Sequence, residues 1–434
     1  MHILSLVLLV ASVLKVSSAA ISCNATNPCP IDTPCCDQYG LCGVGSFCLA
    51  GCNPLWSYNM SACMPQPICK NSNTSFTKTN QFLSEDDYYG DASQSDWTYQ
   101  GTILEYDDSI ILAMTESASS TVVSSTRFIW YGHIDARIKS SHLAGVVTAF
   151  ILFSNVQDEV DYENVGVDLY KWQTNYYYQG ILNWTHSKNI TTTDSTFDNY
   201  HVLGIDWTED RLQWIVNGEV GRTLYKNETW NATSQSYYYP QTPSRIQISL
   251  WAGGASKDIG TVDWAGGAID WSAPDLTDPG YYYAFIDSAN ITCYDPPSGT
   301  KQSGTNAYIY TGTTGNQSDV EITDDKTWIG STNATGFNPQ NSGNTSNITL
   351  TKSSDGSTPT GLGTGGHADG DDGEADSNND GTTYTYTGSG FIQFASSTSS
   401  AFNVSNLASV RVDASNLFNV ISLAAVVIAT MVLM

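Results

Sequence analysis

Basic residues are scarce in this 434-residue chain. Only 14% of its residues are charged, and 17 lysines and arginines stand against 43 acids, for a formal charge of −26. Such a surface is a poor partner for nucleic acid or an anionic membrane, whereas a neutral polysaccharide is compatible with it. Histidine is absent between Ile3 and Tyr131, which takes the imidazole ligands away from any zinc site among the N-terminal cysteines. Long stretches of 3.6-residue apolar periodicity are absent from Gln81 to Ile291, which excludes a helical bundle there. Apolar residues thin out beyond Cys293, where Ser, Thr, Gly, Asn and Asp dominate. Residues 296–405 are therefore expected to form a disordered linker, unable to bury enough surface to offset the entropy of ordering. The acidic run Gly370 to Asp376 lacks the ligand spacing of a calcium loop and reads as solvated spacer.

Ile3 to Val16 is apolar apart from Ser5, Ser12 and Lys15, and it runs into Ser17-Ser18-Ala19-Ala20. This is the pattern of a secretory signal peptide, residues 1–19. Nine of the ten cysteines lie between Cys23 and Cys69, in a segment too small for an apolar core of its own. A disulfide-stapled module over residues 20–70 is expected, in an oxidising compartment. Asn-x-Ser/Thr sequons, among them Asn24, Asn183, Asn231, Asn290, Asn333 and Asn347, imply glycan cover on a secreted chain. From Val420 to Met434 the chain is apolar and uncharged. That tail reads as the end of a glycosylphosphatidylinositol (GPI) attachment signal, a propeptide over 406–434 with attachment near Ser405 or Asn406.

Between these ends, from Gln81 to Ile291, short alternating or apolar runs are broken by Gly, Asn, Asp and Pro. An all-β antiparallel sandwich of jelly-roll type, residues 71–295, is expected. Its candidate strands are Thr126 to Lys139, Gly145 to Phe153, Glu159 to Asp168, His201 to Thr208, Arg211 to Val216, Ser244 to Trp251 and Tyr282 to Cys293, the last ambiguous with turn structure. Asn217-Gly218 marks a hairpin turn. Trp207 and Trp214 fit either the core or a cleft floor.

The stretch Asp158-Glu159-Val160-Asp161-Tyr162-Glu163 carries the chemistry. In an extended strand Glu159, Asp161 and Glu163 share one face. Three carboxylates in a row repel one another, and a solvated strand gains nothing from them. A glycosidase does, because a retaining mechanism needs an ionised carboxylate nucleophile and a second, protonated carboxyl as general acid. A polar strand face or a calcium site is the alternative from acid spacing alone. Arg245-Ile246-Gln247-Ile248-Ser249-Leu250-Trp251 alternates as cleanly. Its polar face offers donors and an indole, which is what a sugar needs, or else it is a polar outer surface with one exposed Trp.

Glu159-Val160-Asp161-Tyr162-Glu163 resembles the Glu-x-Asp-x-Glu signature of glycoside hydrolase family 16. With Asp158 before it and Asn164-Val165-Gly166 after it, it is similar to the fungal Crh group of that family. The resemblance implies a wall transglycosylase that takes chitin as donor and β-glucan as acceptor and needs no cofactor or metal. It implies Glu159 as nucleophile, Asp161 as its electrostatic helper and Glu163 as acid/base, with Gln247, Trp251 and Thr261 contacting the donor alongside Glu163. The tyrosines Tyr237 to Tyr239, or Trp264, are left for the acceptor. A chitin or β-glucan hydrolase of the same fold and a non-catalytic wall-binding adhesin stay open beside it. The segment Cys29 to Cys48 resembles a hevein-type chitin-binding module, family 18 of carbohydrate-binding modules. That likeness implies sugar contacts from Asp37, in place of the usual serine, and from Tyr39 and Phe47, with Leu41 replacing a third aromatic. It also implies the pairs Cys23–Cys36, Cys29–Cys42 and Cys35–Cys48. Cys52 with Cys63 and Cys69 with Cys293 complete the parity. The implied partners are chitin, β-glucan and a GPI anchor to membrane or wall glucan.

Overall fold

The computed structural model describes residues 21–341. The signal peptide, residues 342–405 of the expected linker, Asn347, Asn406 and the propeptide lie outside the described residues.

Two eight-stranded sheets face each other. The first, called here the acid sheet, runs in spatial order Lys188–Thr191, Lys171–Tyr177, Glu159–Val165, Val147–Ser154, Ser244–Trp251, Ser120–Ile129, Trp97–Gln100 and Phe82–Ser84. The second is built around Gly132–Lys139, flanked by His201–Trp207 and Tyr282–Cys293. Among the described residues the α-helices are two short ones, Ile259–Trp264 and Pro274–Thr277. The alternation read in the sequence decides which face is inside. Val160 and Tyr162, Phe150 and Leu152, and Ile246 and Ile248 all turn into the core between the sheets, where they meet Ile134, Ala136 and Ile205. Each such side chain contributes about 1.5–3 kcal/mol by leaving water. Trp207 and Trp214 are both fully buried in this core, so neither is a cleft floor. Asn217 and Gly218, with φ of 53° and 84°, make the tight turn expected between strands.

Three expectations are corrected. Thr126 to Lys139 is two strands, Ser120–Ile129 and Gly132–Lys139, lying in different sheets. The chain reverses at Trp130-Tyr131, where Tyr131 has φ 64°. Two buried aromatics at this corner hide the turn from a hydropathy reading, because they continue the apolar pattern. Next, residues 296–341 are folded. Lys301–Gln302, Ala307–Tyr310 and Val320–Thr323 form a small sheet with Gln66–Pro67, and Tyr308, Tyr310, Val320 and Ile322 join the main core. A few apolar residues at alternate positions suffice because they add to a core that already exists.

Last, the cysteine-rich segment does not end at residue 70 as a bead of its own. Its five disulfides are Cys23–Cys36, Cys29–Cys42, Cys35–Cys48, Cys52–Cys63 and Cys69–Cys293, so no cysteine is left as a free thiol. Cys35, Cys48, Leu49, Cys52, Ala62 and Met64 form a small core that is completed by Ile329 and Ala334 from the far end of the chain. Backbone bonds lock the arrangement, from Gly45 N to Ala334 O at 2.8 Å and from Gly336 N to Ala62 O at 2.8 Å.

Candidate active site

Sheet register brings the chemistry together. Glu159, Asp161 and Glu163 stand opposite Phe153, Ile151 and Ala149 on one neighbouring strand, and these in turn stand opposite Arg245, Gln247 and Ser249. On the other side they face Tyr177, Asn175 and Gln173. Directly opposed residues share a face, so one row crosses Tyr177, Glu159, Phe153 and Arg245. The next crosses Asn175, Asp161, Ile151 and Gln247. This face is turned away from the main core, and Val147, Ala149, Ile151 and Phe153 form a separate apolar strip on it with Trp251 and Ala265.

The three acids are almost wholly buried. Burial pushes the Glu163 carboxyl well above its ordinary range, and the neighbouring Asp161 charge pushes it further. Burial also raises Glu159, with Asp161 and then Glu163 adding to the effect. Asp161 is pushed up to about 7 by burial, against a hydrogen bond with Glu159 and the Arg222 charge, which both lower it. Three adjacent buried carboxyls cannot all ionise, so protons are held among them at neutral pH. Glu163 Oε1 has no hydrogen-bond partner among the described residues.

The acid strand is braced at its start and from behind. Asp158 Oδ2 accepts from Gln241 N, Thr242 N and Thr242 Oγ1 at 2.9, 3.1 and 2.7 Å, and Oδ1 accepts from Gln179 N at 3.0 Å. Asp158 is thus a clamp on the turn that delivers Glu159. Its carboxyl is still pushed up to about 6, because desolvation outweighs those donors. Behind the strand Trp214 Nε1 donates to Asp161 O at 2.9 Å, and the Arg222 guanidinium lies 4.2 Å over the Trp214 ring.

Gln247 is buried, donates from Nε2 to Ser124 Oγ at 3.3 Å and keeps its Oε1 without a donor among the described residues. Trp251 stacks on Trp264 at 6.0 Å, and Trp264 Nε1 donates to Gln173 Oε1 at 2.9 Å. Thr261 sits in the first turn of Ile259–Trp264, its hydroxyl donating to the capping Asp258 at 3.0 Å. Arg245, read as a possible sugar donor, is instead buried against Glu85 at 3.4 Å and donates from Nε to Ser125 O. The tyrosine cluster is divided. Tyr239 is in the core with its hydroxyl on Thr208 O, Tyr238 stacks on Tyr178 at 4.9 Å, and Tyr237 is exposed beside Trp230.

Sequence reasoning missed the strand Lys171–Tyr177, which supplies Gln173, Asn175 and Tyr177 to the acid face. Asn175 Nδ2 donates to the Tyr177 hydroxyl at 2.8 Å. The signal was present, since Trp172, Thr174 and Tyr176 alternate with those three, but the polar and aromatic mixture does not stand out by hydropathy.

In the cysteine-rich module Asp37 is buried, and its Oδ1 accepts from Tyr39 N and Leu41 N at 2.9 and 2.8 Å. The carboxylate braces its own loop and does not face outward as a sugar contact would require; burial pushes it up to about 7. Tyr39 is half-buried, and Phe47, also half-buried, packs its ring over Gly43.

The family model described as glycosyl hydrolases family 16 matches residues 91–272. Congo red hypersensitive protein 2 of Saccharomyces cerevisiae is 53% identical over 333 residues, 76% of this chain and 71% of that protein. Crh-like protein UTR2 of Candida albicans is 46% identical over 365 residues, 80% of this chain and 77% of that protein. Among solved structures, apo Crh5 transglycosylase aligns with a TM-score of 0.50 at 25% identity, covering 62% of this chain and 100% of that one.

Proposed function

The chain belongs to glycosyl hydrolases family 16, among its Crh-like members, and from that premise we propose that it is an extracellular cell-wall transglycosylase that cleaves chitin with retention and transfers the fragment to β-glucan. The observation that carries the reading is the single face on which Glu159, Asp161 and Glu163 align with Gln247 and Ser249. Five disulfides suit an oxidising compartment outside the cell. The apolar C-terminal tail supports GPI attachment near Asn406.

In the first step a Glu159 carboxylate oxygen attacks the anomeric carbon of the chitin chain while the glycosidic C–O bond breaks, and the leaving oxygen takes the Glu163 proton. The raised pKa of Glu163 suits it to hold that proton at neutral pH. Glu159 attacks only when ionised, so the proton in its hydrogen bond with Asp161 must lie on Asp161 in the reactive form. That is the helper role proposed for Asp161. In the second step Glu163, now a carboxylate, takes the proton of a β-glucan hydroxyl, whose oxygen attacks the same carbon and releases Glu159. Gln247, Trp251 and Thr261 are proposed to hold the donor. Incubating the full chain with chitin and labelled β-glucan oligosaccharides tests this. Joined products support it, new reducing ends alone mean a hydrolase, and the absence of both means an adhesin.

A further inference from the structure

The turn that delivers Glu159 is held in a conformation that its residues do not favour. Gln157, two residues before the nucleophile, has φ 66°, and Gln179, whose backbone N–H donates to Asp158, has φ 47°. Neither is glycine, and left-handed backbone at such residues persists only where the surroundings hold it. Part of that hold comes from the folded C-terminal segment. Asn316 Oδ1 accepts from the Tyr178 hydroxyl at 2.7 Å, from Gln241 Nε2 at 3.2 Å and from Gln179 Nε2 at 3.3 Å. Gln179 and Gln241 are also the residues whose backbone N–H groups grip the two oxygens of the Asp158 carboxyl. One amide oxygen thus ties together both arms of the clamp that precedes Glu159.

Asn316 is itself firmly placed. Asp319 Oδ2 accepts from Thr314 N, Thr314 Oγ1 and Gly315 N at 2.6, 2.8 and 3.0 Å, which closes the loop 314–319. Gly315 has φ 67°, and a Cβ there would stand 2.9 Å from Gln179 Nε2, so glycine lets the loop approach this closely. Thr314 O accepts from Gln179 Nε2 at 2.8 Å, and Gln317 Oε1 accepts from the hydroxyl of Tyr131, at the corner between the two sheets. The loop is therefore pinned to the sandwich at a point apart from the acid strand.

We infer that Asn316 is a positioning residue for the nucleophile, acting through Gln179, Gln241 and Asp158 to fix where Glu159 stands. This rests on the reading of Glu159 as nucleophile given above. A carboxylate shifted by a few tenths of an ångström from its line of attack loses about tenfold in rate. Gln247, Trp251 and Thr261, proposed to hold the donor, lie on other elements, so the loss falls on kcat and not on KM.

The test compares three full-length variants with the wild type. Asn316→Leu removes the acceptor oxygen and Asn316→Asp keeps one. Ser318→Ala removes the Asn316-Gln317-Ser318 sequon while leaving Asn316 in place, which separates the brace from any glycan effect. Transfer from a chitin oligosaccharide to labelled β-glucan is measured at a temperature where circular dichroism shows every variant folded. Asn316→Leu should lower kcat about tenfold and change the donor KM by less than about twofold, with the other two variants near wild type. Amide hydrogen exchange across Gln157 to Asp161 should rise about fivefold in Asn316→Leu alone, the equivalent of one net hydrogen bond, with Gly132–Lys139 unchanged. A lower melting temperature with unchanged kcat overturns the inference, since Asn316 is then a stability contact only. Equal impairment of Asn316→Asp or of Ser318→Ala overturns it as well. A wild type that makes neither joined products nor new reducing ends counts against the proposed function instead, and the exchange comparison alone then decides the brace.

Discussion

Removing Cys23 to Cys48 should unfold more than the segment removed. The deletion takes three complete disulfides, leaving no orphan thiol, and it strips the cover from Leu49, Met64 and Ile329, which are 3%, 5% and 3% exposed. At about 1.5–3 kcal/mol for each fully buried side chain of this size, the loss is roughly 5–9 kcal/mol, an upper bound since unfolded chains retain some burial. The bonds from Gly45 N to Ala334 O and from Met64 N to Cys48 O go as well. A loss of this size is comparable with the whole stability of a typical domain, about 5–15 kcal/mol. The shortened protein should therefore melt at least 10 °C lower and lose activity on soluble oligosaccharides. Tyr39→Ala, in the intact chain, should leave both unchanged and lower only retention on insoluble chitin. Thermal unfolding followed by circular dichroism, with product analysis on soluble donor and acceptor, checks this. A truncated protein with an unchanged melting temperature and full activity would refute the shared core and restore the picture of a detachable module.

Glu159→Gln and Glu163→Gln should each reduce turnover by several orders of magnitude, since an amide neither attacks nor transfers a proton; unfolding curves should show no loss of stability, because an uncharged amide of the same shape replaces a carboxyl whose ionised form is disfavoured by burial. Asp161→Asn should lower the rate and change the acid limb of the pH–rate profile, because Glu159 then ionises without a carboxyl partner to share the proton; an unchanged limb would count against the proposed coupling. Asp37, Asp158 and Asp161 have folded-state carboxyls raised to about 7, 6 and 7, so the folded state binds more protons than the unfolded one between about pH 4 and 7 and stability must fall as pH rises through that window. The melting temperature should be higher at pH 5 than at pH 8, and the reverse order in differential scanning calorimetry would contradict those burials. Trp264→Ala should lower the ratio of transfer to hydrolysis at unchanged donor consumption if its ring, stacked on Trp251, serves the acceptor; mass spectrometry of the products reads that ratio.

Local pattern alone was enough for the parts of this protein whose physics is local. Period-two alternation puts Glu159, Asp161 and Glu163 on one side and Val160 and Tyr162 on the other in any strand, and the sandwich turned the apolar set inward. The strands Arg211–Val216 and Ser244–Trp251 were legible to the residue for the same reason, whereas Tyr282–Cys293, ambiguous with turn structure in sequence, is settled as a strand by its pairing with Gly132–Lys139. Tertiary structure decided what depends on residues far apart in the chain. Which strands lie beside the acids is a matter of register, so Gln173, Asn175 and Tyr177 entered the site only once Lys171–Tyr177 was paired with Glu159–Val165. Arg245 carries the same side chain in either reading, but Glu85, 160 residues away, makes it a buried ion pair. Composition alone marked residues 296–341 as linker. They fold because Tyr308, Tyr310 and Ile329 find apolar surface already built by distant segments, and burial against an existing core is a gain that no local window contains.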